Sequence, residues 1–489
     1  MYSFTNDYSE GAHPRILEKL IQTNLEQIDG YGEDAYCAQA ASLIKEAARC
    51  PHGAVHFIPG GTQANLLAIS SMLRPHQAVI AAATGHINVH ETGAIEATGH
   101  KVLTAEYFAA TQDAASPTTE ASCLFAAAEH FAATPDATAP DTEASCLFAA
   151  AEHFTDVPYA TAKVPAASAP GPIAAAPATT LRRLSPTPSG RLTPDMVRQV
   201  LDAHTDEHMV QPKMVYISDT TETGLIYRKS ELDALGRLCR QKGLYLFLDG
   251  ARLGAALTCA ANDLELSDIA SACDLFTIGG TKNGALFGEA LVITNPALRE
   301  DFRFLLKQRG AMLAKGWLLG VQFAELFSPC DLVLSTPPAP TVPGTFSVSR
   351  AGTRHAGMPL SGSSASAMET RSTGAPSPAH STGTPSSNLQ AAGPDTAAPL
   401  YFALARHANE TAAELARHLA AAGFPFLYPP CTNQLFPILP DALIARLEAE
   451  FRFMRYKKIN GAESAVRLVT SWATKPESVA AFGDALRRA

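Results

Sequence analysis

Short apolar runs bounded by glycine alternate along this chain with longer stretches of helical periodicity. Residues 14–28 and 35–49 carry apolar positions at helical spacing and predict two amphipathic helices. The glycine-punctuated loop at 29–34 separates them. Residues 54–58 (AVHFI) predict a strand, the turn Pro59, Gly60, Gly61, Thr62 follows, and then comes a helix through LLAISSML. A second strand, 78–82, ends near Gly85 and His86, and another begins at 100–103. Thr193 before Pro194 is a good N-cap with proline at the first helical position, which predicts a helix through MVRQVLDAHT. Residues 214–218 predict a strand, 229–242 a helix, and 245–248 a strand that delivers Asp249. A Gly/Ala-rich helix carrying Arg252 comes next. The apolar run 275–278 then ends in Gly279, Gly280, Thr281, Lys282, Asn283, Gly284. Strand and helix alternating at this rhythm predict a parallel α/β sheet.

Helical sequence continues over 296–327, and 399–422 predicts a long helix. The remainder (FPFLYPP, NQLFPILP, ALIARLEAEF, AVRLVTSWAT) alternates strand and helix, as in a small α+β domain. The expected division is a large domain over 1–310 and a small one over 311–489. Two stretches break the pattern, 108–188 and 329–396, both rich in Ala, Pro, Ser and Thr. In the first, TEASCLFAAAEHF occurs at 119–131 and again at 142–154. Each copy could form a short helix, but two copies are too few for a self-supporting repeat. Both stretches read as low-complexity insertions, expected to be mostly disordered.

Composition narrows the class. At 489 residues the chain is too long for one ordinary domain, and 46% hydrophobic with 17% charged residues suits a soluble enzyme with a sizeable core. A net charge of -9 without a basic tract argues against a nucleic-acid surface. No apolar run reaches the roughly 18 residues of a membrane span, and the polar start shows no signal-peptide pattern. The nine cysteines are scattered, with no C-x-x-C pair. That suits a cytoplasmic protein with no structural disulfide or zinc site.

Asp249 and Lys282 each stand just past the carboxyl end of a short buried strand, the edge where open parallel sheets bind ligands. An acid able to face a pyridinium nitrogen and a lysine able to form a Schiff base are what pyridoxal phosphate requires. A buried lysine loses basicity readily and exposes a nucleophilic amine. Taken alone, Asp249 reads also as a strand-end cap and Lys282 as a surface residue of a glycine-rich loop. Gly60, Gly61 and Thr62 lie between strand and helix, where free backbone N–H groups can hold a phosphate. The plain reading is an ordinary turn with Thr62 as N-cap. His86 follows a strand end and reads equally as a packing residue. Arg467 alternates with apolar residues on a half-buried strand, a costly place without an anionic partner.

Five segments in order carry a family resemblance: PGGTQANLLAI, GHINVHETGA, FLDGARLGAAL, GGTKNGALFGEALV and VRLVTSWAT. Together they resemble the threonine aldolase and β-eliminating lyase family, pyridoxal-phosphate enzymes of the aspartate-aminotransferase type (fold type I). The resemblance implies that Lys282 is the Schiff-base lysine, that Asp249 faces the pyridine nitrogen and that His86 stacks on the ring. It implies that Gly60, Gly61, Thr62, Arg252 and Thr281 help to hold the cofactor, and that Arg252 and Arg467 bind the substrate carboxylate. By position His208 matches a histidine near the substrate hydroxyl, and the implied base for that hydroxyl is His208 or a water held near His86. Asn6 stands where relatives carry a substrate-contacting serine. The implied reaction is cleavage of the Cα–Cβ bond of L-threonine or L-allo-threonine to glycine and an aldehyde. Elimination at Cβ of another amino acid would use the same residues, and a non-catalytic binding protein on the same fold is the distant alternative. The loop at 29–34 resembles one near the cofactor in a two-subunit site, which implies a homodimer or homotetramer.

Overall fold

A computed structural model of the chain describes residues 1–105, 189–330 and 398–488. The repeat and nearly all of both low-complexity stretches lie outside these residues. The strands run in chain order as β1 (Tyr2–Ser3), β2 (Ala54–Ile58), β3 (Gln77–Ala82), β4 (Val102–Ala105), β5 (Gln211–Ser218), β6 (Tyr245–Asp249) and β7 (Leu275–Gly279). They continue as β8 (Glu289–Ile293), β9 (Gln434–Leu435), β10 (Ile438–Pro440), β11 (Phe451–Arg452), β12 (Met454–Lys458) and β13 (Glu463–Val469).

Seven strands form the main sheet in the order β2-β8-β7-β6-β5-β3-β4. Pairing is parallel from β7 through β4, and only β8 runs against its neighbours β7 and β2. The carboxyl ends of β2, β3, β5, β6 and β7 therefore share one edge with the start of β8. Strand β7 is buried throughout and β6 nearly so, which explains the continuous apolar runs read in the sequence. The predicted cap at Thr193 is present: its hydroxyl accepts from the Met196 N–H at the start of the helix Pro194–Asp202.

Sequence reading and structure part in the C-terminal half. The periodic stretch 296–327 is not one helix: a 3-10 turn, Pro296–Leu298, precedes the helices Phe302–Gln308 and Trp317–Phe327. Gly310 in the left-handed region (φ 73°) and the turn at Gly316 break the run. FPFLYPP is not a strand, since its prolines leave a single bridge between Phe426 and Pro437. The exposed, basic β12 was not foreseen, because it lacks an apolar face. It pairs with β13, which also pairs with β9 and β10.

The two cores interpenetrate in sequence. Phe4 packs with Leu439, Val466, Leu468 and Phe482 in the C-terminal core, and β1 pairs with β11. The helix Leu400–Ala421 puts Leu400, Tyr401 and Leu404 against the main-sheet core and Ala412, Leu415 and Leu419 in the C-terminal one. The helix Trp317–Phe327, beyond the boundary expected at 310, packs into the main-sheet core through Phe323, Leu326 and Phe327. This tie carries β13, and Arg467 with it, up to the ligand edge of the sheet. Among the described residues no helix is long and apolar enough to cross a membrane.

Candidate active site

Strands β5, β6 and β7 end side by side, Ser218 in register with Asp249, so their last residues converge. The carboxylate of Asp249 is buried and fully held. Tyr216 Oη donates to Oδ2 at 2.6 Å, Asn65 Nδ2 donates to Oδ2 at 2.8 Å, and the Ala251 N–H donates to Oδ1 at 2.9 Å. Burial pushes Asp249 up, but Tyr216, His86, Asn65 and Lys282 outweigh it, so the carboxyl stays below the usual range and ionised. A buried anion held this way suits a protonated ring nitrogen.

Lys282 leaves β7 after Gly279 and Gly280. Burial and the nearby Arg252 charge bring its ammonium below the ordinary lysine value, opposed by Asp7, Glu289 and Asp249. Beneath it, Glu289 on β8 is paired in register with Gly279, and burial lifts its carboxyl to about 8 despite Lys282. Thr281 does not lie free for a ligand: its hydroxyl accepts the Gly288 N–H at 3.0 Å and fastens the turn that carries Lys282.

The helix Gly61–Met72 begins with Gly60 as N-cap, and no side chain caps it. Thr62, expected as the cap, lies inside the first turn and is exposed. A Cβ at Gly60 or Gly61 would meet nothing within 4 Å, so open space faces the free N–H groups. That is a cradle fit for a phosphate. His86 sits at the start of the short helix His86–Val89, with Nδ1 2.7 Å from Oε1 of the buried Glu91. Asn65 Nδ2 reaches the same Glu91 oxygen at 2.7 Å. One amide thus ties the His86 partner to Asp249.

The two arginines differ. Arg252 is locked to Asp7 through Nε and Nη2 at 2.7 and 3.0 Å. Asn433 Nδ2 donates to the same carboxylate at 2.9 Å. Burial is again outweighed, here by the arginine, so Asp7 lies low and ionised. Among the described residues Arg467 reaches only the neutral Gln434 Oε1, at 2.6 Å from Nη2 and 3.2 Å from Nε. Burial, then the Arg252 charge, bring it down to about 10. No carboxylate of the described residues is in ion-pair contact with it, so the site holds a half-buried cation in want of an anion.

Two expected residues stand elsewhere. His208 is exposed in the turn before β5, at the amino edge of the sheet, where its N–H donates to Asp206 Oδ1. An eight-residue strand puts it roughly 25 Å from the ligand edge. Asn6 turns its Oδ1 back to the Tyr8 N–H and the Ser9 hydroxyl, and Asp7 points inward instead. Sequence reading missed Asp7, Asn65, Tyr216, Ser218 and Glu222. The one signal available was their polarity beside apolar runs.

The main sheet has the fold of the aspartate-aminotransferase type. Thermus thermophilus aspartate aminotransferase gives a TM-score of 0.52 at 11% identity, covering 100% of this chain and 91% of that one. Leishmania major threonine aldolase gives 0.68 at 35% identity, covering 100% of this chain and 99% of that one. A low specificity L-threonine aldolase from a Pseudomonas species is 26% identical over 328 residues, 66% of this chain and 70% of the relative. Another, from Pseudomonas aeruginosa, is 25% identical over 317 residues, 64% and 67% respectively. The profile of the β-eliminating lyase family matches residues 7–470. The chain belongs to that family, the threonine aldolase and β-eliminating lyase group of pyridoxal-phosphate-dependent lyases.

Proposed function

We propose that this protein binds pyridoxal phosphate and cleaves β-hydroxy-α-amino acids, with L-threonine and L-allo-threonine as substrates, to glycine and an aldehyde. The carrying observation is the meeting at one sheet edge of a lysine of lowered basicity, a buried ionised aspartate and a half-buried arginine with no carboxylate partner among the described residues. Asp249 would hold the protonated ring nitrogen, Gly60, Gly61 and Thr62 the phosphate, His86 one ring face, and Lys282 the aldehyde carbon. Bound there, the cofactor supplies an electron sink for the pair released when a bond at Cα breaks. Arg467 meets the substrate carboxylate with the guanidinium edge left free by Gln434, and Arg252 adds its charge from behind the Asp7 pair. Fixing the carboxylate selects which bond at Cα is aligned for cleavage. Lys282, with its lowered pKa, returns a proton to Cα. The β-hydroxyl needs a proton acceptor on the substrate side, and His208 is too far away to be one.

β-Elimination from another amino acid is the second reading, favoured by the family profile; it would yield a keto acid and ammonia. The resemblance of the 29–34 loop supports a homodimer or homotetramer, and the scattered cysteines without a C-x-x-C pair suit the reducing cytoplasm. The deciding experiment is aldehyde release from both threonine isomers by the cofactor-loaded protein and its Lys282→Ala variant. Release by the parent alone supports the assignment. Keto acid without aldehyde selects elimination.

A further inference from the structure

Seven residues close a ring of hydrogen bonds around the ligand edge. From Asp249 it passes through Asn65 to Glu91 and His86, and in the other direction through Tyr216 to Ser218 and Glu222. It closes where the His86 backbone N–H donates to Glu222 Oε1 at 2.9 Å. Glu222 is the member with no place in the chemistry above. Its Oε2 is buried with no hydrogen-bond partner among the described residues. Its Oε1 accepts from the His86 N–H and the Ser218 hydroxyl, and its charge is felt at Asp249 and Arg252.

Proton counting shows what Glu222 is built to do. The Ser218 hydroxyl has one hydrogen but two oxygens in reach, Glu222 Oε1 at 2.7 Å and Tyr216 Oη at 3.3 Å. With Glu222 ionised, Ser218 donates to it. With Glu222 protonated, the carboxyl can donate to Ser218, whose hydrogen then swings to Tyr216. Tyr216 keeps its own hydrogen on Asp249 in both cases. Both charge states of Glu222 are therefore hydrogen-bonded, unusual for a buried carboxyl, where one state is normally left unpaired.

We propose that Glu222 is the acid–base group for the substrate's β-hydroxyl; this rests on the aldol-cleavage reading above. The Glu222 carboxylate takes the hydroxyl proton, the C–O bond becomes C=O, and the Cα–Cβ pair passes to the Cα side. Lys282 then protonates Cα, and Glu222 gives its proton to solvent as the aldehyde leaves. In the reverse direction protonated Glu222 donates to the aldehyde oxygen. Burial raises the Glu222 carboxyl above the ordinary glutamate value, partly offset by Ser218, which brings it nearer the working pH of a base. The ionisable groups facing it are His86 from the helix after β3, Asp249 and Arg252 from the end of β6, Tyr216 on β5, and Tyr227.

The test uses the cofactor-loaded enzyme and two reactions. Aldehyde release from L-threonine needs a base for the hydroxyl; exchange of the glycine α-proton in D2O, followed by NMR, does not. Glu222→Gln should lose about 10²-fold or more in cleavage while keeping the cofactor absorbance band and the exchange rate within a few-fold. Glu222→Asp, which keeps an ionisable group, should recover part of the cleavage. The acid limb of the wild-type kcat/KM profile should be absent in what activity Glu222→Gln retains. Near-wild-type cleavage by Glu222→Gln overturns the proposal. So does equal loss of both reactions with a changed absorbance band, the mark of a structural role. A wild-type enzyme that exchanges glycine but releases no aldehyde overturns the aldol reading, and this one with it.

Discussion

Arg252 and Asp7 form a two-point ion pair, 245 residues apart in sequence, with the arginine side chain 12% and the aspartate 1% exposed. The pair joins the end of β6 to the N-terminal segment, and Asn433 fastens it to the C-terminal layer. Asp7 is thus a structural counter-ion that fixes the orientation of Arg252. Removing one partner of a buried pair leaves the other charge uncompensated, at a cost of ~3–5 kcal/mol. Asp7→Asn should lower stability on that scale in urea unfolding of the cofactor-free protein. Its contribution is present above the unfolded aspartate value, near ~3.9, and is lost as pH falls through the depressed folded value. A variant as stable as the parent at pH 7 would show that the pair is solvated in solution.

Arg467 is the opposite case, a half-buried cation facing a neutral amide. If the substrate carboxylate is its partner, Arg467→Ala should lower kcat/KM for L-threonine by about 10²-fold, the scale of truncating one member of a desolvated charge pair. Loss carried mainly by KM would mean the contact is already made in the ground state. Arg467→Lys should recover only part of it, because Lys lacks the planar fork. Unchanged KM in both variants would place the carboxylate elsewhere.

How much of this was legible in the sequence follows from what each residue depends on. Asp249 and Lys282 were readable because each is fixed by a local event, a buried strand ending at the ligand edge. Gly60 and Gly61 were readable from the tight turn between β2 and the helix Gly61–Met72. Asp7, Asn65 and Glu222 were not. Their roles come from contacts 245, 184 and 136 residues away along the chain, with Arg252, Asp249 and His86 respectively, and no local periodicity records such contacts. His208 failed for the same cause: its place relative to the site is set by which end of β5 it precedes. β12 escaped notice because an exposed strand has no apolar alternation to betray it.

Asp219 gives a stability prediction away from the ligands. Burial lifts its carboxyl to about 8, with only the Tyr227 N–H, at 3.3 Å, donating to it among the described residues. The folded state therefore holds a proton that the unfolded chain has lost above ~4. Its stabilising contribution is full below that pH and disappears as pH rises through about 8. Melting of the cofactor-free protein should fall over this window, and Asp219→Asn, which cannot ionise, should flatten the fall. An unchanged slope would assign the dependence to Glu289, the other carboxyl lifted to about 8.

Two glycines separate the demands of folding from those of the cofactor. At Gly279 an added Cβ would stand 2.3 Å from the Ala251 carbonyl oxygen, a backbone atom that cannot swing aside. The close approach lets the Gly279 N–H reach Gly250 O at 2.9 Å and holds β6 and β7 together where Asp249 and Lys282 emerge. Gly279→Ala should destabilise the cofactor-free protein by ~1–3 kcal/mol or more, as overpacking does. At Gly61 the same methyl meets nothing within 4 Å. There Gly61→Ala should leave the cofactor-free protein as stable as the parent, or up to ~1 kcal/mol more so through a less flexible unfolded chain. It should nevertheless weaken pyridoxal phosphate binding, because the methyl occupies the space before the free N–H groups. Equilibrium titration of the absorbance band, set beside urea unfolding of the same preparations, separates the two effects. Unaltered cofactor affinity in Gly61→Ala would remove the phosphate from this helix end and leave the glycines as an ordinary turn.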